Sequence, residues 1–365
     1  MKKLFPVWIL CFGVLVLIKT INDAWLEQVY QPWIFQPLRG IYEITFYHLP
    51  FALIYLVIPG FIWLVYRYYK WVLKSGKTFL LNLSFTATVV MLVFIWFYGS
   101  WGMLYKSKPL QVKLALSDAT IDTLYLSSQL QWTENRLLEV RRKFWKEDSS
   151  PIPLEKKPLQ LEFLLQKEVA ATLAGWGIRS NKKLRVRPLY PAGSLLIFST
   201  AGIYLPFSME GHYDPGLAHF HSPFVMAHEL SHGYGITGEA DCNFVALISC
   251  LRSENPFIQY AGLLTYWRYL ASDLKKSARF SFYKMAFMRP IPIRKDLFVL
   301  YEALDQYPEI MPMIRDMIYD SYLKANGLKD GLKNYDKIIH LFRAWQKSSL
   351  DKDIKTKWGM DDALQ

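Results

Sequence analysis

Apolar residues concentrate near the amino terminus in three runs, at about residues 4–18, 49–66 and 79–101. The second and third runs approach the roughly 20 residues that a membrane-spanning helix needs. The first run is shorter, but no small-x-small cleavage site follows it, which favours an uncleaved span over a secretory signal. The pattern therefore predicts three transmembrane helices that form an anchor over residues 1–105. The alternative for any one run is a buried core helix.

Basic residues predict how this anchor is oriented. Lys2 and Lys3 precede the first run, and the connection between the second and third runs carries four cations and no acid. Lysine and arginine in short loops resist translocation across a membrane. After an odd number of crossings, residues 106–365 are expected to lie outside the cytoplasm.

The pattern changes after the third apolar run. An amphipathic helix is predicted to begin near Ser117, with Ser117 or Asp118 as its cap. Short apolar runs separated by proline and glycine then predict β-strands at 159–164, 184–189, 195–199 and 202–207. After Phe244 the sequence is typical of helices. We therefore expect an α+β fold, in which residues 106–365 form a mostly helical domain with a small β-sheet.

Composition separates this chain from nucleic-acid-binding and disulfide-rich proteins. The formal charge is +12, but the basic residues are scattered, and several lie beside apolar runs. An anionic lipid leaflet attracts such residues, so the expected partner is a lipid bilayer and not nucleic acid. Cys11 lies within an apolar run, and Cys242 and Cys250 are too far apart on one predicted helix to form a disulfide.

The candidate chemistry lies in the segment from Ser222 to Gly233. Ser222 suits a helix N-cap, Pro223 suits the first turn, and Gly233 can end the helix. The i, i+4 spacing then places His228 and His232 on one helix face, where both imidazoles can bind one Zn²⁺ ion. Glu229 projects beside them and can act as the general base toward a water molecule.

A third metal ligand is expected after the glycine-rich turn that follows the second histidine. Glu239 and Asn243 share one face of the next predicted helix, so Glu239 can bind the ion while Asn243 supports the site from behind. Asp241 points away from Glu239 on that helix and is the alternative third ligand.

The segment HELSHGYG resembles the first half of the metzincin pattern, although Gly238 stands where metzincins have a third histidine. The acid that follows resembles the ligand glutamate of gluzincins, whereas Asn243 departs from their supporting aspartate. The chain as a whole resembles an uncharacterised family of bacterial membrane proteins, domain of unknown function 3810. The resemblance lies in WGMLYKSKPL, GIYLPFSMEG, HELSHGYGITGEADCNF and YLKANGLKDGLKNYDKIIHLF. It implies a metallopeptidase-like fold in a bacterial cytoplasmic membrane.

Several further residues could contribute to a site. Tyr322, Tyr335 and His340 are candidate donors to a developing oxyanion, although a packed aromatic is the commoner role for a tyrosine. A cluster of three histidines precedes the motif: His212, His219 and His221. A second metal site there is less expected than a cleft-edge or solvated loop. Glu210 suits a turn or a supporting contact equally well.

The sequence thus predicts a membrane-anchored zinc metallopeptidase that hydrolyses a peptide or protein substrate on the extracytoplasmic face. The alternative is a membrane scaffold or sensor that keeps the zincin fold without catalysis. Glu229 favours the enzyme, because a purely structural metal site needs no base beside it.

Overall fold

A computed structural model describes residues 9, 12–14, 16, 20–75, 79–180, 183–310, 312–313, 317, 321 and 337–360. The chain divides into two compact units. The first comprises Met1–Lys108 and Leu205–Glu210, and the second comprises Pro109–Tyr204 and Gly211–Gln365. The segment Leu205–Glu210 therefore belongs to the first unit although the residues on both sides of it belong to the second.

The first unit is helical. Its helices are a short turn Asp23–Trp25, a π-type helix Leu26–Phe35, α1 (Gln36–Thr45), α2 (Ile54–Ser75), α3 (Phe79–Ser100) and a 3-10 helix Gly102–Lys106. Within the described residues, one stretch is long and apolar enough to cross a membrane, Asn82–Ser100 in α3, with a mean hydropathy of 1.7. Only 17% of the most apolar window is buried, which is unlike the core helix of a soluble protein.

The described residues thus contain one membrane-length apolar helix and not the three that the sequence predicted. Helix α2 is long enough, but its cations, tyrosines and tryptophans lower its mean hydropathy. The first predicted span lies mostly outside the described residues.

A buried polar cluster in the first unit holds the segment Leu205–Glu210. The Glu210 carboxylate accepts hydrogen bonds from the Tyr42 hydroxyl at 2.6 Å and from the Leu53 backbone N–H at 2.8 Å. Arg39 donates to the Met209 carbonyl oxygen at 2.8 Å. Glu210 is fully buried, and a buried carboxyl group without hydrogen-bond partners would destabilise the fold. These hydrogen bonds supply the partners. Glu210 therefore has a supporting role in the fold.

The second unit is a helical domain with one small sheet. Its longer helices are α4 (Thr123–Phe144), α5 (Leu161–Gly175), α6 (Ser222–Gly233), α7 (Glu239–Arg252), α8 (Pro256–Ser277), α9 (Arg279–Met288), α10 (Ile291–Asp305), α11 (Ile338–Gln346) and α12 (Lys352–Lys357). Shorter turns occur at Leu110–Lys113, Leu154–Lys156 and Leu196–Phe198. Helices α6 and α7 are almost completely buried. The core of the unit therefore surrounds the motif helix and its successor.

Three short strands form the sheet: β1 (Val186–Pro188), β2 (Gly202–Leu205) and β3 (Glu210–Tyr213). The strand order is β1-β3-β2. Strands β1 and β3 are parallel, with Val186 opposite Gly211 and Pro188 opposite Tyr213. The α+β class with a small sheet is confirmed.

Two of the predicted strands are confirmed and two are wrong. Residues 184–189 and 202–207 contain β1 and β2, whereas 159–164 enters helix α5 and 195–199 forms a 3-10 turn. Buried leucines at helical spacing explain α5. The turn follows from Asp214, whose buried carboxylate accepts hydrogen bonds from the Leu195 and Leu196 N–H groups. Strand β3 was not predicted, and helix α4 begins later than expected from the sequence, since Asp122 is its cap.

A buried ion pair ties three helices of the second unit together. The Asp296 carboxylate accepts hydrogen bonds from the Arg141 Nε at 2.8 Å and from the Tyr260 hydroxyl at 2.6 Å. It also accepts one from the Ile152 backbone N–H at 3.0 Å. Both charged side chains are almost fully excluded from solvent. Loss of either partner would leave an uncompensated buried charge.

Asp296→Ala is therefore expected to lower the free energy of unfolding by about 3–5 kcal/mol, because Arg141 would stay buried without its acid. The measurement is denaturant unfolding of the full chain in mild detergent, followed by tryptophan fluorescence. Asp273→Ala is the control, because Asp273 pairs with the exposed Lys276 and should cost about 1 kcal/mol or less. An equal decrease in the free energy of unfolding in the two variants would contradict a buried ion pair between Arg141 and Asp296.

The three histidines before α6 are built into the fold. His212 is buried in β3, and the His221 ring Nε2 lies 3.2 Å from the Arg268 guanidinium. His219 stacks on Phe257. The expected solvated loop is therefore wrong for His212 and His221. In the part of the chain that the structure describes, these histidines form no group of metal-ligand atoms.

Burial keeps two of these histidines neutral. Burial, together with Arg187, lowers the pKa of His212 to about 4. Burial, together with Arg268, lowers the pKa of His221 to about 3. The unfolded chain takes up these protons near the ordinary pKa of about 6.5. Folding stability is thus fully present above that pH and falls as the pH drops below it.

His221→Gln should weaken this pH dependence. Each neutral buried histidine contributes a slope of about 1.4 kcal/mol per pH unit between its unfolded and folded pKa values. The variant should therefore lose less stability than the wild type between pH 6.5 and pH 4.5. Thermal melting of both proteins across that range measures the difference. The same change of melting temperature with pH in both proteins would contradict a neutral buried His221.

Candidate metal centre

Helix α6 presents the motif, and local sequence sets its ends. Pro223 lies in the first turn, and His221 is the cap residue, one position earlier than the predicted Ser222. The helix ends at Gly233, as expected, but the left-handed residue of the following turn is Gly235, with φ +99°. This turn leads directly into α7 and returns the chain toward α6.

Three polar atoms converge between α6 and α7. The Nε2 atoms of His228 and His232 lie 3.1 Å apart. The Glu239 Oε2 lies 3.1 Å from the His228 Nε2 and 3.6 Å from the His232 Nε2. The i, i+4 spacing on α6 and the first turn of α7 therefore bring together the three side chains that the sequence singled out.

The opposite ring nitrogens indicate which tautomers the histidines adopt. The His228 Nδ1 lies 2.8 Å from the Asn243 Oδ1, and the His232 Nδ1 lies 2.9 Å from the Ile236 carbonyl oxygen. Both partners are acceptors, so each Nδ1 carries the proton and donates it. Each neutral ring then has an unprotonated Nε2, which is the form that binds a metal.

The convergent atoms fit a small divalent cation. Ligand atoms at about 2.0–2.1 Å from a tetrahedral Zn²⁺ lie about 3.3–3.4 Å from one another. The three observed separations, 3.1, 3.1 and 3.6 Å, bracket that value. Three acceptors this close together repel one another unless a cation or a proton lies between them.

Cys242 is an alternative to Glu239 as the third ligand. Ligand atoms of His228, His232 and Cys242 lie within 4.8 Å of one another, so this buried group could bind a metal. The Cys242 thiol, however, lies 3.3 Å from the Nδ1 of His232 and 3.3 Å from the Ile236 carbonyl oxygen. That is the side of the ring opposite Nε2. The Glu239 oxygen, in contrast, lies near both Nε2 atoms.

The charge state of Glu239 suits a cation ligand. Although burial alone would raise the pKa of its carboxyl group, His232 and His228 hold that pKa well below its usual range. The carboxylate is therefore negative at neutral pH. Burial equally disfavours a charged His232, but Cys242 and Glu239 raise the pKa of its imidazole well above its usual value. A cation that binds the His232 Nε2 would therefore take the place of a proton on that atom.

Glu229 lies beside this group with its side chain enclosed. It is 4% exposed, and its Oε2 has no hydrogen-bond partner among the described residues. Burial, with a smaller contribution from Glu239, raises the pKa of Glu229 to about 7, against the opposing effect of the two histidines. A buried carboxylate oxygen without a partner is costly, and a bound water molecule would satisfy it.

Two sheet glycines make room for Glu229. A Cβ atom at Gly202 would lie 2.6 Å from the Glu229 Oε1, and one at Gly211 would lie 2.8 Å from the Glu229 Cβ. A side chain at either position would therefore displace Glu229. Neither role could be predicted from the sequence, because only a known strand register shows which glycine lies behind Glu229.

Other predicted residues lie elsewhere. The Asp241 carboxylate accepts a hydrogen bond from the Leu110 backbone N–H at 3.0 Å. The His340 Nδ1 lies 3.1 Å from the Ala119 carbonyl oxygen. Tyr322 and Tyr335 lie outside the described residues and stay predictions. The structure therefore brings Glu239 to the histidines, and neither Asp241 nor His340.

Access to the group is narrow. The most exposed side chain among the histidines and Glu239 is His228, at 12%. A water molecule or an ion can approach through such an opening, whereas an extended peptide needs a wider one.

Comparison with known proteins places the chain in a family but not in a functional class. The model of a family described as proteins of unknown function, DUF3810, matches residues 30–342. No curated protein and no solved structure matches the chain. The matched region covers most of the chain, and it includes α6, α7 and the convergent side chains. The chain belongs to the DUF3810 family.

Proposed function

We propose that this protein is a membrane-anchored, zinc-dependent metallopeptidase that hydrolyses peptide bonds on the extracytoplasmic face of a bacterial cytoplasmic membrane. The convergence of two imidazole Nε2 atoms and one carboxylate oxygen carries this proposal. A base next to them, whose oxygen has no partner in the described part of the chain, favours a catalytic centre over a structural metal site.

His228, His232 and Glu239 would hold the ion. When bound, Zn²⁺ supplies Lewis-acid polarisation of a substrate carbonyl and makes water more acidic. Asn243 and the Ile236 carbonyl fix the orientation of the two imidazole rings through their Nδ1–H groups. Such supporting contacts keep ligand rings in one orientation.

Glu229 would move the proton. Its carboxylate accepts a proton from the water that attacks the scissile carbonyl, and the resulting carboxylic acid donates that proton to the leaving amine. Enclosure between α6 and the two sheet glycines keeps the side chain in one position. A pKa near neutrality lets the same group serve as base and then as acid.

Membrane anchoring rests on Asn82–Ser100. The extracytoplasmic location of the second unit rests on the cations of α2, which are expected to stay on the cytoplasmic side. A peptide substrate needs a wider opening than the one through which the His228 side chain is exposed. We therefore expect the elements around the site to separate when a peptide binds.

The full chain, purified in detergent, should contain about one zinc per molecule and cleave members of a peptide library. Glu229→Gln should retain the metal and reduce cleavage by about 10²-fold or more, because only the proton transfer is lost. Elemental analysis and mass spectrometry of the products measure the two properties.

The same experiment separates the competing functions. Equal cleavage by Glu229→Gln and wild type would contradict Glu229 as the base. A stoichiometric metal without cleavage in either protein would favour the non-catalytic scaffold. Absence of bound metal after reconstitution with zinc would exclude the zinc peptidase and leave only a scaffold without a metal.

A matched pair of variants tests the third ligand. Glu239→Gln should weaken zinc binding by about 10-fold or more, because it removes the negative ligand beside both histidines. Asp241→Asn should leave zinc binding unchanged, because its side chain contacts Leu110 and keeps an acceptor there. Competition with a zinc chelator measures both affinities, and the reverse order would make Asp241 the ligand.

A further inference from the structure

Helix α9 carries apolar side chains on two of its faces. Phe282 and Met285 pack against the core of the second unit. Phe280 and Phe287 point away from that core and are 84% and 88% exposed. Tyr283, also exposed, lies between them at helical spacing, so the three aromatic rings share one outer face. A helix that faced only water would have polar residues there.

The exposed apolar surface continues beyond α9. Met288 at its end and Ile291 at the start of α10 are exposed, and so is Phe298 two turns later, at 65%. Isolated exposed apolar residues are common on proteins, but a series of them along two successive helices is typical of an interaction surface.

Cations border this surface and acids are absent from its sequence. Residues 275–295 contain seven lysines and arginines and no aspartate or glutamate. Six of the seven are exposed: Lys275, Lys276, Arg279, Lys284, Arg294 and Lys295. Arg279 lies over the Tyr283 ring, with its guanidinium carbon 5.7 Å from the ring centroid. The surface therefore combines aromatic rings with positive charge.

We propose that the outer face of α9 and the start of α10 bind the surface of an anionic lipid bilayer. Aromatic side chains suit the boundary between headgroups and acyl chains, and lysine and arginine are attracted to anionic headgroups. The long aliphatic stems of the cations can lie along the apolar surface while their charges reach the headgroups. A basic amphipathic helix is typical of such contacts. This surface is independent of the metal centre, since none of its residues belongs to that group.

A fluorescent reporter on this face tests the contact. An environment-sensitive fluorophore is attached at Phe287→Cys in a chain that carries Cys11→Ser, because Cys242 and Cys250 are buried and protected from labelling. The full chain is placed in nanodiscs of phosphatidylcholine with or without phosphatidylglycerol. Emission should shift to the blue in the anionic discs, and about 1 M salt should reverse the shift, because it shortens the screening length to about 3 Å.

Two controls make the result specific. The same label at Leu159→Cys, a fully exposed position outside this face, should show no lipid-dependent shift. Lys275→Glu with Lys284→Glu should abolish the shift at position 287, whereas Lys167→Glu, at an exposed position on α5, should not.

Three results would overturn the proposal. An emission at position 287 that matches position 159 in both lipids would show that the face stays in water. A blue-shifted emission of equal size in both lipids would show that the face lies in an apolar environment without any need for anionic lipid, which would exclude attraction to anionic headgroups. A shift in anionic discs that resists salt would exclude electrostatic attraction, and this measurement needs no charge variant.

Discussion

The mutual repulsion of three acceptor atoms is the constraint on which the site depends. The two Nε2 atoms and the Glu239 oxygen lie at distances where each would repel the others without positive charge between them. The hydrogen bonds on the far side of each ring exclude the other neutral tautomer, because Asn243 and the Ile236 carbonyl both require a proton on Nδ1. A shared divalent cation satisfies all three atoms at once.

The fold makes this arrangement rigid. Helices α6 and α7 are buried on nearly all sides, so their side chains have few alternative rotamers. The sheet adds a further limit, because Gly202 and Gly211 leave room for Glu229 and for little else.

The motif could be predicted from sequence because its geometry depends on the spacing of residues within single helices. Helical spacing places His228 and His232 together, and the same rule on α7 places Glu239 with Asn243. Properties that depend on distant segments could not be predicted in this way. Asp214 turns residues 195–199 away from a strand through backbone hydrogen bonds, and Gly211 lies behind Glu229 only because β3 pairs with β1. The second predicted span is not among the membrane-length apolar helices of the described residues, because apolar runs alone do not weigh the cations and aromatic rings of α2.

X-ray absorption at the zinc edge of the purified full chain distinguishes the possible ligand sets, because it reports the atoms bound to the ion. We expect nitrogen and oxygen ligands alone, at about 2.0–2.1 Å, from His228, His232 and Glu239. A sulfur ligand at about 2.3 Å would instead make Cys242 a ligand and contradict this arrangement of the centre.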